Sequence, residues 1–144
     1  MELSQIRKLV EKDMPIDDTE LDIASTAIPQ LHNKYLNIFL DEKLVLQKLN
    51  SDYYRLKRIK WEYYTGKLDH TQLEKYGWEQ FQLKILKQDI DLYMNSDEEL
   101  QKLSDRVAYQ KEKISYLDAI LKSINNRQWN IRSAIDWRKF INGG

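Results

Sequence analysis

The sequence predicts an all-α protein built on a long antiparallel helical hairpin with short connecting helices. Three observations carry that expectation. The 144 residues include only 4 Gly and 2 Pro, the poorest helix formers, while 32% are charged. Apolar side chains then recur at helical spacing from Pro29 to Tyr64 without a breaker. Finally, Leu100, Leu103, Val107, Gln110, Ile114, Leu117, Leu121, Ile124, Gln128, Ile131 and Ile135 alternate three- and four-residue steps, and nine of these eleven are apolar.

The elements follow in order. Residues 1–28 form an acidic segment with one short helix: the chain breaks at Pro15, and "MPIDDTELD" reads as a turn in which Asp17, Asp18 or Thr19 caps that helix. Residues 29–144 form a single helical domain. Its first helix, 29–65, has Pro29 in the first turn, where a missing N–H is harmless, and Gly66 just past its end. The apolar row is Leu31, Tyr35, Ile38, Val45, Leu49, Leu56, Ile59 and Tyr63, interrupted by Glu42 and Asp52. Connecting helices fill 69–95: a short one opened by Asp69 and closed at Gly77, then a medium one over "EQFQLKILKQDIDLYMN". Ser96 with Glu99 reads as the capping box that opens the C-terminal heptad helix, 96–141.

Part of the heptad row is expected to be covered by the first long helix folded back upon it. That pairing leaves Tyr116, Ile120, Trp129, Trp137, Phe140, Trp61, Trp78 and Phe81 in surplus, and so much apolar surface points to self-association. Leu117, Leu121, Ile124 and Ile131, with Trp137 beside them, are the expected assembly residues.

Composition excludes several function classes. Lys+Arg and Asp+Glu both total 23, so no global charge favours nucleic acid or membrane. No Cys is present, which removes disulfides and thiolate metal sites and fits a reducing cytoplasm. No apolar run approaches the roughly 18 residues of a membrane span. His32 and His70 have no partner at metal-ligand spacing, no Ser stands in a nucleophile elbow, and the Gly residues make no phosphate loop. Neither an enzyme nor a cofactor is expected.

Neutrality conceals polarity along the chain. Residues 1–29 carry three basic and seven acidic side chains, while residues 30–67 carry eight and four. The positive charge culminates in "RLKRIKWEYYTGK", Arg55 to Lys67, with five basic residues, one acid and three aromatics. At ~100° per residue, Leu56, Ile59 and Tyr63 continue the core row. Lys57, Lys60, Trp61 and Tyr64 are expected on the opposite side, with Arg55 and Arg58 flanking them and Lys67 beyond the helix end. Cations beside flat rings suit single-stranded nucleic acid, neutralising phosphates and stacking on bases. The same composition fits basic stems that cover core or interface rings.

"KRIKWEYYTGK" resembles the signature of the UvsY recombination mediators of tailed phages: a basic cluster, then Tyr-Tyr, Ser or Thr, and Gly. The likeness extends through "PQLHNKYLNIFLDEKL", "FQLKILKQDIDLYM", "AYQKEKISYL" and "RSAIDWRKF", which resemble the marine-phage branch. The sequence departs from the best-known branch at Glu62, Thr65 and Lys67-Leu68. The resemblance implies a non-enzymatic protein that binds single-stranded DNA and forms ring-like homo-oligomers of about six or seven chains. It implies help in loading a RecA-like recombinase (UvsX) onto DNA covered by the phage single-strand-binding protein, in the cytoplasm of an infected bacterial host. It also implies DNA-binding roles for Arg58 and Lys60, and an oligomerising C-terminal helix. A helical adaptor that binds only protein is the alternative, separated by whether the Arg55–Lys67 stretch grips DNA.

Overall fold

The computed structural model describes residues 1–143; Gly144, the last residue of the expected domain, lies outside them. Six α-helices occur among these residues: α1 (Leu3–Asp13), α2 (Leu21–Thr26), α3 (Ile28–Tyr64), α4 (His70–Tyr76), α5 (Ile90–Asn95) and α6 (Glu98–Ile141). A 3₁₀ turn, Lys87–Asp89, precedes α5. The fold is all-α, with α3 and α6 antiparallel and the short helices connecting them. Contacts gather into two compact units, one from residues 1–44 and 111–143, the other from Val45–Gln110.

In the first unit, α1 and the N-terminal part of α3 pack on the C-terminal part of α6. Ile6, Val10, Tyr35, Leu117, Leu121 and Ile124 form the buried core. Leu117, Ile124 and Ile6 are sealed from solvent, so truncating any one leaves a cavity that costs about 2–5 kcal/mol. The N-terminal residues thus supply core, not merely an acidic leader. They hold two helices where the sequence reading expected one. The α1 helix opens with Gln5 reaching back to accept the Glu2 N–H at 2.9 Å, and it ends where Lys34 (2.6 Å) and the Tyr35 hydroxyl (2.9 Å) clamp the Asp13 carboxylate. Asp17 then folds an Asx turn, accepting from the Thr19 N–H at 2.9 Å and its hydroxyl at 2.6 Å; the short α2 starts four residues on at Leu21, with Glu20 rather than Asp17, Asp18 or Thr19 at its N-cap.

Within the core row, Glu42 is 4% exposed and pairs with Lys113, itself buried, at 3.3 Å. What the sequence shows as an interruption is a buried charge pair in the seam. Arg127 takes the buried place expected of Gln128, which is exposed. Its guanidinium donates to the Met14 carbonyl at 2.6 Å, while Nε finds no partner. Burial lowers its pKa from the usual arginine value.

The second unit is built around rings. Leu49, Leu73, Met94, Leu100 and Val107 are buried in it. Tyr63, Tyr64, Trp78, Phe81 and Tyr93 stack edge-on or tilted with centroids 5.0–5.9 Å apart. Trp78 and Phe81, counted as surplus from sequence, are therefore used inside the chain. The medium helix expected from Glu79 is corrected: residues 79–86 form no helix, and helix resumes only at Lys87–Asn95. The reason lies in the tertiary contacts. Phe81 docks into the ring cluster and the Glu79 carbonyl accepts the Tyr63 hydroxyl at 2.6 Å, bonds that compete with helical turns. The start of α6 also shifts by one residue. Asp97, not Ser96, caps it, accepting the Leu100 N–H at 2.9 Å, while the Ser96 hydroxyl donates back to Leu92.

Candidate nucleic-acid interface

The C-terminal end of α3 carries the basic and aromatic residues, and the "YYTG" that follows them is a helix stop. Gly66 adopts φ 73°; its N–H reaches the Tyr63 carbonyl at 3.2 Å, and the Lys67 N–H reaches Glu62 at 2.8 Å. This is the paired-bond ending that a left-handed residue allows, and only Gly takes that conformation freely. The Thr65 hydroxyl donates to the Trp61 carbonyl at 2.7 Å, tightening the same turn. The Tyr64 hydroxyl donates to Asp97 at 2.7 Å. With the Tyr63 hydroxyl on the Glu79 carbonyl, all four motif residues therefore spend polar atoms on the fold.

Lys60 does the same. It is 5% exposed, with Nζ 3.1 Å from Asp97, 3.5 Å from Glu99 and 3.9 Å above the Trp78 ring centre. Burial works to raise the Asp97 pKa, but the Tyr64 hydroxyl, the Leu100 N–H and Lys60 together hold it below the usual aspartate value. Burial, and then the neighbouring Asp97 carboxylate, push the Tyr64 phenol well above its ordinary value. The structure therefore does not bring Lys60 or Tyr64 to the outward side expected of them. Helical geometry explains why: four residues advance ~400°, so Lys60 stands only ~40° from Leu56, and Tyr64 ~80° from it, at the margin of the core.

Of the remaining residues, Tyr54, Lys57, Arg58 and Trp61 share one open face, and Arg55 lies on its flank, ~100° round the helix from Tyr54. Tyr54 is 66% and Trp61 39% exposed. Lys57 and Arg58 are exposed and form no ion pair among the described residues, while Arg55 meets Asp52 only at 4.0 Å. Beyond the helix stop, Lys67 folds back so that its ammonium lies 4.1 Å from the Trp61 ring centre. That contact covers one face of the indole and holds its orientation. The sequence also places Tyr53 and Tyr54 one turn back on this side, without assigning them to the site; Tyr54 is the more exposed of the two.

The expected assembly residues divide as well. Leu117, Leu121, Ile124 and Ile131 are buried within this chain, where α3 and α1 occupy the seam. Trp137 is 61% exposed and stacks on Phe140 at 5.7 Å; Trp129 and Ile141 are exposed nearby on α6. Two cations of the same region are engaged: Arg127 is buried, and Arg138 pairs with Asp18 at 3.5 Å. Among the described residues no cluster of His, Asp or Glu is arranged to hold a metal, and no helix is long and apolar enough to cross a membrane.

Comparison with known proteins adds the remaining findings. Residues 9–144 match the family model described as "Recombination, repair and ssDNA binding protein UvsY". Two crystal structures of the bacteriophage T4 recombination mediator protein UvsY share the fold. The one in lattice type IV superposes with a TM-score of 0.86 at 20% identity, covering 97% of this chain and 99% of that one. The one in lattice type II gives 0.86 at 21% identity, covering 100% and 99%. No protein of curated function matches the chain in sequence.

Proposed function

The chain belongs to the UvsY family of recombination, repair and single-stranded-DNA-binding proteins, and on that premise we propose that Arg55, Lys57, Arg58, Trp61 and Lys67, with Tyr54, form its strand-binding face. The observation that carries this reading is the unpaired state of Lys57 and Arg58 between two exposed rings, when the nearby Lys60 is spent on Asp97. Cations left without carboxylate partners are free to displace counterions from a phosphate backbone. Exposed rings supply stacking that every base accepts, about 1–3 kcal/mol per base.

One such face neutralises few phosphates and binds weakly at physiological salt. Repetition in a homo-oligomer raises the effective concentration of each face for the strand already held. Trp129, Trp137, Phe140 and Ile141 offer the apolar surface for that assembly, with the seam residues Leu117, Leu121, Ile124 and Ile131 acting indirectly by shaping α6. A ring of about six or seven chains is the assembly this family resemblance supports. The protein then acts as a recombination mediator in an infected bacterial cytoplasm, without catalysis, helping a RecA-like recombinase onto DNA covered by a single-strand-binding protein. The family match and the T4 mediator's shared fold support this role.

The test is titration of a labelled oligothymidylate with Lys57→Ala/Arg58→Ala. Affinity falls at least tenfold and the salt dependence flattens, with helix content and assembly mass unchanged. Undiminished binding in that variant refutes the assigned face.

A further inference from the structure

Resting on that strand-binding reading, we propose that the same face contains a nucleobase pocket that prefers guanine, with Asp91 as its specificity-determining residue. Four residues of α3 (Tyr54, Lys57, Arg58 and Trp61) and three of α5 (Asp91, Met94 and Asn95) line a groove of about 350 Å³. This is at the small end of ligand pockets, suited to one base rather than a run of them. All seven residues lie within the second unit.

The chemistry of the lining is divided. Met94, 6% exposed, is an apolar, polarisable contribution to the lining, suited to a ring face. Tyr54 and Trp61 add exposed aromatic surface, and Lys67 already occupies one face of Trp61, leaving the other for stacking. Lys57 and Arg58 suit the phosphates on either side of the inserted nucleotide. Asp91 is out of place in a site for phosphate alone. It is exposed and makes no ion pair with the neighbouring cations among the described residues. A carboxylate here repels backbone phosphate, so its favourable partner is a donor on a base edge.

Hydrogen-bond inventories then choose the base. A carboxylate accepts only. The Watson–Crick edge of guanine offers N1–H and N2–H side by side, two donors for two oxygens. Thymine offers one N–H between two carbonyl oxygens, which repel the carboxylate. Adenine and cytosine each place a ring acceptor beside their amino group. The Asn95 side chain, whose amide both donates and accepts, complements the guanine O6. A strand binder of this kind holds any sequence through stacking and phosphate contacts, yet settles with a guanine in the groove.

The experiment compares the full-length protein's affinity for a short oligothymidylate with the same strand carrying one central dG, dA, dC or abasic site. The dG strand binds about five- to tenfold more tightly than oligothymidylate, within the range of a good bidentate base contact. In Asp91→Ala the preference disappears, while oligothymidylate binding is retained or strengthened because a negative charge has gone. Equal affinity for dG and dT strands in the wild type, or a guanine preference that survives Asp91→Ala, overturns the pocket while leaving the strand-binding face intact. Failure of the wild type to bind oligothymidylate at low salt overturns both.

Discussion

Replacing Lys60 separates two roles that the family signature merges. The lysine and Asp97 side chains are 6% and 5% exposed, with Nζ 3.1 Å from the carboxylate. Lys60→Met keeps the length of the stem and removes the charge. Asp97 is then buried without its cation, a change that costs about 3–5 kcal/mol when one member of a buried pair is lost. Asp97 retains the Tyr64 hydroxyl at 2.7 Å and the Leu100 N–H at 2.9 Å, so the lower end, about 3 kcal/mol, is expected. At roughly 4 °C per kcal/mol for a chain of this length, Tm falls by about 12 °C. Urea unfolding followed by circular dichroism measures the loss. Oligothymidylate binding, scored per folded molecule at low temperature, changes less than threefold. A Lys60→Met protein of wild-type stability that no longer binds DNA refutes the reasoning, because the ammonium would then have been reaching the strand.

Other outcomes follow from the same geometry. Asp13 is held below the ordinary aspartate pKa chiefly by Lys34, and Asp97 is lowered against its burial, so both favour the folded state when ionised. Depressed values in the folded state make stability full above about pH 5, and it declines as pH falls through about 4, where the unfolded carboxyls protonate. Urea midpoints between pH 3 and 6 measure this, and Asp13→Asn flattens the curve. Gly66→Ala has open space for its Cβ but must hold φ 73°, so it loses about 1–2 kcal/mol of stability without altering strand affinity at low temperature. Leu117→Asp buries a carboxylate in the sealed core of the first unit and unfolds the chain. Trp137→Ala/Phe140→Ala keeps the helix content and lowers the sedimenting mass. An unchanged mass removes that patch from the assembly.

Much of the architecture was readable from local chemistry. Pro29, Asp69, Gly66 and Gly77 bound their helices as their backbone preferences dictate, and the heptad row of α6 is buried for most of its length. The stretch after Gly77 was not readable, because its helical pattern yields to Phe81 entering a cluster of rings distant in sequence. The burial of Lys60, Lys113 and Glu42 was equally hidden, since a charged residue in a single sequence gives no sign of the opposite charge that will meet it. For Lys60 one clue was available, its ~40° offset from Leu56, which sets it beside the core row.

The two buried pairs also bear on mistakes the chain must avoid. Leucine-rich seams tolerate sliding, since one apolar side chain replaces another after a shift of seven residues. Moved one heptad in one direction, α3 would carry Glu42 from Lys113 to the level of Ile120 and Lys60 from Asp97 to the level of Ser104, so that neither charge meets an opposite one. Glu42–Lys113 and Lys60–Asp97 therefore mark the alignment of the helices in their own units: each pair closes in the observed register, and a slid helix leaves the buried charges without partners.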